Sequence, residues 1–279
     1  EKPQIRASEQ RRKGGKRVDI LSAKNNEKVK LAVSIRDSAK ARRENGMFFL
    51  EGARLCSDAA ESGTKIFRTF LSRRAAEKYP QRCERIISAS QEVYEISAEV
   101  ASRLSDTQNT QEIFCLCRMA KDGRKKNKLR ADGKYLLLEN VQDPSNLGAI
   151  SRTAEALGAD GLIICGGCDI YNPKALRASM GSALRLNIIS REDAAEAVEE
   201  ANGVGMLTLA STPDRDSEKI NEVDMPSGVV CVVGNEGNGV TERTMNACSK
   251  KVTIPMDGRA ESLNAATAAA ILIWEMVKK

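Results

Sequence analysis

Residues 135–140 read Tyr-Leu-Leu-Leu-Glu-Asn, an apolar run that ends in two polar side chains. Similar runs stand at 161–164 (Gly-Leu-Ile-Ile) and 229–233 (Val-Val-Cys-Val-Val), and residues with helical periodicity lie between them. Strands without polar alternation are typical of a parallel sheet that helices cover on both faces. We therefore predict an α/β fold for residues 135–279, with a mainly parallel sheet and helices on both of its faces.

The residues before this region predict a second, smaller α/β domain. A chain of 279 residues is long enough for two domains, and strand and helix periods alternate over residues 21–120. We predict that this domain starts with one continuous helix over residues 26–45. A basic arm at 1–20, which we expect to be disordered, and a basic linker at 121–134 complete the chain.

Positive charge is concentrated on either side of the smaller domain. The net charge of +6 is made up of +9 over residues 1–43, −1 over 44–120, +5 over 121–134 and −7 over 135–279. Two cationic segments beside one domain are expected where that domain binds a polyanion such as RNA, although solvated tails would give the same composition. Charge alone does not choose between RNA and DNA.

Two features of the composition restrict the location and the chemistry. No apolar run reaches the ~18 residues that a membrane span needs, so we expect a soluble, cytoplasmic protein without a membrane partner. The absence of histidine excludes Ser-His and Cys-His nucleophile pairs, histidine bases and zinc sites that require imidazole.

The eight cysteines are predicted to be reduced core residues, because most of them lie in apolar stretches. Only Cys165-Gly-Gly-Cys168 has the spacing of a metal or redox pair. No second pair matches it, and no helix starts at its first cysteine. We predict a turn at a strand end and no metal site.

The first of three loop-to-helix junctions covers residues 140–153, Asn-Val-Gln-Asp-Pro-Ser-Asn-Leu-Gly-Ala-Ile-Ser-Arg-Thr. The Asp-Pro pair ends a strand, Asn146 is predicted to cap the helix that follows, and Gly148 would let another backbone approach. Arg152 lies six residues after Asn146, so both can project from the start of one helix towards the same strand end. A plain surface arginine is the alternative interpretation of Arg152.

The second junction is Gly234-Asn-Glu-Gly-Asn-Gly239, directly after the apolar run at 229–233. Three glycines at a strand end make room for a ligand against backbone amides. Their spacing, G-x-x-G-x-G near the end of the domain, differs from the G-x-G-x-x-G that opens a dinucleotide-binding fold. The sequence therefore disfavours NAD.

The third junction is residues 261–266, Glu-Ser-Leu-Asn-Ala-Ala, and Ile-Pro-Met precedes it at 254–256. Ser262 and Asn264 are both favoured N-caps, so we predict that one of them starts a last helix that reaches residue 279. The three junctions occur in this order at strand ends of one predicted sheet, which is where α/β proteins bind their ligands.

At these junctions the sequence resembles the SpoU (TrmH-type) family of the SPOUT superfamily, whose members are S-adenosylmethionine-dependent 2′-O-ribose methyltransferases of rRNA or tRNA. The matching stretches are 143–155, 233–239, 254–256 and 262–264. The smaller domain is similar to the substrate-binding domain that precedes the catalytic domain in many members. That likeness lies in Phe49-Leu-Glu-Gly-Ala-Arg54 and Leu104-Ser-Asp-Thr107; it departs from the family at residues 110–112, Thr-Gln-Glu, where Pro-Gln-Gly is frequent.

The resemblance implies that the C-terminal segment of the catalytic domain forms a trefoil knot, that S-adenosylmethionine binds in the knot, and that the catalytic domain forms a homodimer. It also implies three sets of site residues. The catalytic set is Asn146, Arg152, Glu236, Ser262 and Asn264. The cofactor-binding set is Gly234, Gly237, Gly239, Ile254, Met256 and Leu263. The residues that we expect to contact RNA are Arg43, Glu51, Arg54, Lys125 and Lys126.

The predicted function is S-adenosylmethionine-dependent methylation of a ribose 2′-hydroxyl in RNA. We expect rRNA, because an added domain and a long basic arm suit a large structured substrate; the alternatives are a tRNA methyltransferase and a non-catalytic RNA-binding protein of the same fold. Methyl transfer also needs a group that accepts the hydroxyl proton. A guanidinium is effectively always protonated, so this acceptor is Glu236, a phosphate oxygen or water.

Overall fold

The computed structural model describes residues 11–13, 16–119, 128–214 and 216–278. Lys125 and Lys126 lie outside these residues, as does much of the predicted arm and linker. The chain divides into two compact units, which we call the N-terminal unit and the C-terminal unit. The N-terminal unit comprises the described residues of 1–120 and Tyr171–Pro173, and the C-terminal unit comprises the remaining described residues.

The described residues of the N-terminal unit form one sheet and six helices. Its strands are β1 (Arg11–Lys13), β2 (Lys16–Leu21), β3 (Met47–Glu51), β4 (Ile66–Leu71), β5 (Ser90–Ile96) and β6 (Ile113–Arg118). Its helices are α1 (Glu27–Asp37), α2 (Ala39–Asn45), α3 (Ala53–Glu61), α4 (Arg73–Lys78), α5 (Pro80–Ala89) and α6 (Ala98–Leu104). The strand order is β1-β2-β5-β4-β6-β3; β2, β5 and β4 are parallel, and β6 is antiparallel to both of its neighbours.

The strand register brings the ends of β3 and β4 to the edge of the sheet where β6 begins. Glu51, the last residue of β3, pairs with Phe114, and Leu71, the last residue of β4, pairs with Ile113. The loop over residues 105–112, which leads into β6, therefore lies at the same edge. The sheet beneath it is anchored in an aromatic and aliphatic core, so the edge rests on a rigid base.

The prediction of one helix over residues 26–45 was wrong, because the chain breaks at Ser38. Ser38 has extended backbone angles (φ −124°, ψ 119°), and its hydroxyl accepts a hydrogen bond from the Ala41 N–H at 3.2 Å. The buried Arg42 then donates to two carbonyls at the end of α1. Serine side chains compete for backbone N–H groups, so serine favours a cap over a helix interior.

The described residues of the C-terminal unit form seven strands and six helices. Its strands are β7 (Lys134–Glu139), β8 (Gly161–Cys165), β9 (Ile188–Arg191), β10 (Leu207–Ser211), β11 (Glu218–Lys219), β12 (Val229–Val233) and β13 (Lys250–Thr253). Its helices are α7 (Pro144–Leu157), α8 (Pro173–Ala178), α9 (Ser182–Arg185), α10 (Ala194–Gly203), α11 (Glu242–Ala247) and α12 (Ala265–Val277). The strand order is β11-β13-β10-β12-β7-β8-β9, and every neighbouring pair is parallel.

The predicted α/β fold with a mainly parallel, helix-flanked sheet is confirmed. Every residue of β12 is buried, as is β7 after its first residue, which explains their unbroken apolar runs. Helix α7 packs on α12, and α10 packs on α11. Because all the strands are parallel, their carboxyl ends share one edge of the sheet, and the chain after Glu139 leaves this edge beside the chain after Val233.

The last helix begins at Ala265, three residues after the earliest predicted start, and it ends at Val277. Asn264 is its N-cap, so the choice left open between Ser262 and Asn264 falls on Asn264. None of the helices in the described parts of the chain combines the length and the apolar character that a membrane span requires.

A candidate active site at three strand ends

The first junction begins where β7 ends and is capped by Asp143. Its Oδ1 accepts a hydrogen bond from the Ser145 N–H at 2.7 Å, and Pro144 occupies the first helical position, where no N–H is needed. The prediction that Asn146 caps this helix was therefore wrong. Because Asp143 does so, the side chain of Asn146 is available for contacts with distant parts of the unit.

The Cys165-Gly-Gly-Cys168 stretch packs directly against the first junction. Strand β8 ends at Cys165, and both glycines have left-handed backbone angles (φ +67° and +74°). A Cβ added at Gly166 would lie 2.3 Å from Asn140 Oδ1, and one added at Gly167 would lie 2.3 Å from the Val141 carbonyl oxygen. The predicted strand-end turn is confirmed, and the glycines are required because the turn passes directly against the first junction.

No group of three or more cysteine, aspartate and glutamate residues in the described chain is arranged to hold a metal ion. Burial, the largest influence, together with the nearby carboxylate of Glu139 raises the pKa of the Cys165 thiol to about 12. At neutral pH the thiol is protonated, and it lacks the nucleophilic thiolate that redox chemistry uses.

The second junction is a closed loop that presents Glu236 at its tip. Asn235 and Gly239 exchange backbone hydrogen bonds of 3.0 and 2.9 Å. The loop crosses itself so tightly that a Cβ added at Gly234 would lie 2.0 Å from Gly239. Asn235 Oδ1 accepts from two further backbone N–H groups within the loop, so the position of Glu236 is defined by internal bonds.

The carboxylate of Glu236 reaches the first junction, and the third junction completes the connection. Glu236 Oε1 accepts from Asn146 Nδ2 at 3.0 Å and from the Asp143 N–H at 3.2 Å, while Oε2 accepts from the Gln142 N–H at 3.1 Å. Asn264 Nδ2 donates to Asn146 Oδ1 at 3.1 Å. The structure thus brings together three of the five predicted catalytic residues. We call this arrangement of Glu236, Asn146 and Asn264 the amide chain.

Hydrogen bonding keeps Glu236 ionised. Partial burial is the largest single influence and opposes ionisation, but hydrogen bonds from Asn146 and from the backbone N–H groups of the first junction together lower the pKa of Glu236 below its ordinary value. A carboxylate with a lowered pKa is a weak proton acceptor at neutral pH. Its position suits it to orient Asn146.

The oxygen and the nitrogen of the Asn264 side-chain amide have different functions. Its Oδ1 caps α12 by accepting from the N–H groups of Ala266 at 2.9 Å and Thr267 at 3.3 Å. Its Nδ2 is the donor to Asn146. Ser262 lies two residues earlier in an exposed segment and makes no hydrogen bond with the described part of the chain.

Arg152 is exposed, and it forms neither a hydrogen bond nor an ion pair with the residues that the structure describes. It lies on α7 between Gly148, where an added Cβ would lie 2.4 Å from the Ala175 carbonyl oxygen of α8, and Glu155, which bonds to α9. Side chains six residues apart on an α-helix point in directions that differ by ~120°. Arg152 therefore does not share the helix face of Asn146 and is not part of the amide chain. Its projection towards the same strand end as Asn146 stays a prediction, whereas the close approach predicted at Gly148 is confirmed.

The predicted cofactor-binding residues offer apolar contacts and unpaired backbone groups at the same edge. Gly237 and Gly239 are exposed, and a Cβ added at Gly239 would meet nothing within 4 Å. Ile254, Met256 and Leu263 are half-buried, and no backbone hydrogen bond within the described residues involves Met256 or Leu263. Free N–H and C=O groups beside apolar side chains fit a flat heteroaromatic ring with a polar edge, such as adenine.

The N-terminal unit contains three of the residues predicted to contact RNA. Arg43 and Arg54 are exposed, and their guanidinium groups make no hydrogen bond or ion pair with the described residues. Glu51 is a correction, because it is only 7% exposed and its carboxylate is already occupied within the unit. Its hydrogen-bond donors are Ser105 Oγ at 2.7 Å, the Asp106 N–H at 3.0 Å and Thr107 Oγ1 at 2.7 Å.

Sequence reasoning missed Glu139, which ends β7 directly before the first junction. It is the last residue of β7 and is 5% exposed. The available signal was a charged side chain that closes an otherwise apolar, fully covered strand, because such a charge must find hydrogen-bond donors inside the fold.

Known protein families match both halves of the chain. Residues 133–274 match the SpoU rRNA Methylase family, and residues 26–115 match the MRM3-like substrate binding domain. The chain is 30% identical over 258 residues to the 23S rRNA (guanosine(2553)-2′-O)-methyltransferase RlmP of Bacillus subtilis (strain 168), with 92% of this chain and 98% of that protein covered.

Two further proteins are similar over most of the chain. A 23S rRNA (uridine(2479)-2′-O)-methyltransferase of Streptomyces viridochromogenes is 30% identical over 246 residues, with 85% of each protein covered. The crystal structure of an AdoMet-bound rRNA methyltransferase from Sinorhizobium meliloti superposes with a TM-score of 0.81 at 27% identity, over 93% of this chain and 97% of that one.

Proposed function

This chain belongs to the SpoU rRNA methylase family, and from that premise we propose that it transfers a methyl group from S-adenosylmethionine to a ribose 2′-hydroxyl of ribosomal RNA. The observation that carries the proposal is the amide chain, which joins three separate strand ends through Glu236, Asn146 and Asn264. We prefer ribosomal RNA to tRNA because two of the relatives that are similar over most of their length carry the names of 23S rRNA methyltransferases.

S-Adenosylmethionine supplies a methyl group on a positively charged sulfur. We assign its binding to the loop Gly234–Gly239 and to the half-buried segments at Ile254, Met256 and Leu263. The open face beside Gly239 leaves room for a ligand. The backbone groups of Met256 and Leu263 have no hydrogen-bond partner among the described residues and can bond to the edge of adenine. These residues would hold the adenosine part of S-adenosylmethionine.

The amide chain fixes one side chain in a single orientation. Glu236 accepts from Asn146 Nδ2 and Asn264 donates to Asn146 Oδ1, so the amide of Asn146 cannot rotate without breaking one of these bonds. Asn146 Nδ2 carries a second N–H that we assign to the ribose oxygen. A preorganised donor of this kind stabilises a transition state without reorganisation during the reaction.

We assign the hydroxyl proton to a phosphate oxygen or to water. Glu236 is a poor acceptor because its hydrogen bonds lower its pKa, and Arg152 is effectively always protonated. The guanidinium of Arg152 is exposed and has no partner among the described residues, so it is suited to hold a phosphate and a ribose oxygen together through its planar fork of donors. Ser262, exposed between the cofactor segment and Asn264, completes the proposed catalytic set.

We assign RNA binding chiefly to residues 21–120, with Arg43 and Arg54 as contacts, and to the basic segments 1–20 and 121–134 that flank it. The catalytic part, residues 135–279, has a net charge of −7, so most of the electrostatic attraction for RNA must come from the rest of the chain. Glu51 is not included, because its carboxylate is used inside the unit.

Three finer features are proposed on the basis of the family. We propose that the C-terminal segment is threaded through a trefoil knot, and that two copies associate through their catalytic domains. Trp274, which is 55% exposed on α12, supplies apolar surface that such a dimer would bury. We also propose that the protein acts in the cytoplasm, a location that fits an rRNA-modifying enzyme.

The test is methyl transfer by the purified full chain to ribosomal RNA, with labelled S-adenosylmethionine. We expect label in RNA and its recovery in dinucleotides that resist alkali, because a 2′-O-methyl group removes the hydroxyl that alkaline cleavage requires. Calorimetry should show binding of S-adenosylmethionine and none of NAD. Label on a base, label only in tRNA, or RNA binding without transfer would each reject the proposal in favour of a specific alternative.

A further inference from the structure

We propose that Glu139 is a positioning residue for the methyl-transfer reaction. Its buried carboxylate holds the loop that carries Glu236, and through Glu236 it sets the position of Asn146. This inference rests on the proposed function, because it concerns how the amide chain is kept in register. Glu139 itself forms no hydrogen bond with those residues assigned to substrate or cofactor that the structure describes.

Glu139 binds the chain immediately after the second junction. Oε2 accepts from the Thr241 N–H at 2.9 Å, and Oε1 accepts from Thr241 Oγ1 and from Thr244 Oγ1, each at 2.7 Å. Thr241 is the N-cap of α11 and lies two residues after Gly239. Within the described chain, all the hydrogen bonds to this carboxylate therefore come from the exit of the loop and the helix that it enters.

These bonds cross the fold between strand ends far apart in sequence. Glu139 closes β7, whereas Thr241 follows β12, the parallel neighbour of β7 in the sheet. Hydrogen bonds to a buried carboxylate are short and about twice as strong as bonds between neutral groups. Glu139 therefore fixes the exit of the Glu236 loop relative to the strand from which the Asn146 helix departs.

The remaining bonds between the two loops are exposed to solvent. Asn235 Nδ2 donates to the Asn140 carbonyl at 2.9 Å, and Glu236 accepts from two backbone N–H groups and from Asn146. Exposed bonds compete with water and contribute little by themselves. Asn140 also has a left-handed backbone (φ +55°), which non-glycine residues adopt only where the surroundings hold them. The hydrogen bonds of Glu139 are buried or part-buried, so water competes with them less than with the other bonds of this connection.

The experiment is a double-mutant cycle of Glu139→Gln and Glu236→Gln in the full chain. Glutamine keeps the size of Glu139 but offers one acceptor oxygen and no charge. We expect Glu139→Gln to lower the single-turnover rate about 10- to 100-fold at saturating RNA and cofactor, because small misplacements at a reacting centre cost rates of this order. If Glu139 acts through Glu236, the double variant should lie within about threefold of Glu236→Gln alone.

Glu200→Gln is the matched control. Glu200 accepts two hydrogen bonds from Arg191 in the same unit, at 2.8 and 2.9 Å, and it forms no hydrogen bond with either loop. We expect the single-turnover rate of Glu200→Gln to stay within about twofold of the rate of the unmodified protein. A purely structural role for Glu139 predicts a lower melting temperature and multiplicative rate effects, so multiplicative effects, or an unchanged rate in Glu139→Gln, would overturn the inference.

A second pair of variants covers the case in which Glu139→Gln does not fold. Thr241→Ser keeps both the hydroxyl and the backbone N–H that bind Glu139, whereas Thr241→Val removes the hydroxyl. We expect the serine variant to retain the rate and the valine variant to lose it, with the same non-additivity towards Glu236→Gln. Equal rates in the two variants would reject the inference. No methyl transfer by the unmodified protein would instead reject the proposed function itself.

Discussion

Two buried glutamates in different units show the same local arrangement. Glu51 ends β3 in the N-terminal unit, Glu139 ends β7 in the C-terminal unit, and they are 7% and 5% exposed. Each accepts hydrogen bonds from one backbone N–H and two hydroxyl groups of a segment distant in sequence. In both units, a carboxylate at the end of a strand anchors a distant segment of the chain through hydrogen bonds.

The two units differ in what surrounds the held segment. Beside the segment that Glu139 holds, exposed polar groups bond to one another and form the amide chain. Near the segment that Glu51 holds, Arg54 is exposed and unpaired within the described chain. Interlocked groups suit a reaction that requires fixed geometry, whereas free cations suit contact with a polyanion. We interpret the difference as a division between catalysis and RNA binding.

The largest effect that we expect on the catalytic side is that of Arg152→Ala. If Arg152 orients phosphate and ribose as the methyl group moves, its loss should lower the single-turnover rate by ~10²-fold or more. Cofactor affinity, measured by calorimetry, should stay near that of the unmodified protein, because no hydrogen bond joins Arg152 to the described cofactor segments.

The control for this prediction is Arg152→Lys. Lysine keeps the charge but lacks the planar fork, so it should not restore the rate. Full activity in Arg152→Ala would make Arg152 an ordinary surface arginine and would remove it from the catalytic set.

Asn264→Asp separates the two functions of Asn264 and should have an intermediate effect. Aspartate is a good N-cap, so the melting temperature should stay close to that of the unmodified protein. It cannot donate to Asn146, and we expect the rate to fall about tenfold, as for the loss of one hydrogen bond worth ~1.4 kcal/mol. An unchanged rate together with an unchanged melting temperature would mean that Asn264 is only a helix cap.

Glu51→Gln tests the corresponding carboxylate of the N-terminal unit. It removes the charge from a buried group that accepts three hydrogen bonds, so we expect a loss of about 1–3 kcal/mol in the free energy of unfolding. Cofactor affinity should not change. A cofactor affinity that falls in parallel with stability would contradict the separation of the two units, and denaturant unfolding monitored alongside calorimetry would reveal it.

The smallest effect that we expect is that of pH on the ratio between the rates of the unmodified protein and of Glu236→Gln. The pKa of Glu236 is lowered, so its carboxylate is ionised throughout pH 6–8, and its contribution declines only as the pH falls towards and below its ordinary range. The ratio of the rates of the unmodified protein and Glu236→Gln should therefore be the same at pH 6 and pH 8. A ratio that rises with pH over this interval would show that Glu236 is partly protonated at pH 6 and would contradict the lowered pKa.

The sequence predicted the parallel sheet and the family, and both are confirmed. Buried parallel strands leave unbroken apolar runs such as 229–233, and the order of the three junctions is specific enough to identify the family. The predictions of a close backbone approach at Gly148 and of a turn at Cys165-Gly-Gly-Cys168 were also correct, because a glycine near a strand end commonly marks a tight turn or a close backbone approach.

Features that depend on competition between neighbouring residues could not be predicted from the sequence. Asp143 and Asn146 are both good caps, and only the fold shows that Asp143 caps α7. The break at Ser38 is likewise a local competition, between a helix interior and a serine cap. The burial of Glu51, by contrast, depends on partners distant in sequence. The amide chain joins side chains up to 118 residues apart, a contact that no local pattern encodes.

The division between the units is tested most directly by single-turnover rates at increasing RNA concentration for two variants of the full chain. We predict that Arg43→Ala combined with Arg54→Ala weakens RNA binding but recovers the unmodified rate once RNA is saturating. Arg152→Ala should remain at least ~10²-fold slow at every RNA concentration. Recovery of Arg152→Ala at saturating RNA, or a persistent loss in the Arg43/Arg54 double variant, would contradict the assignment of catalysis and RNA binding to separate units.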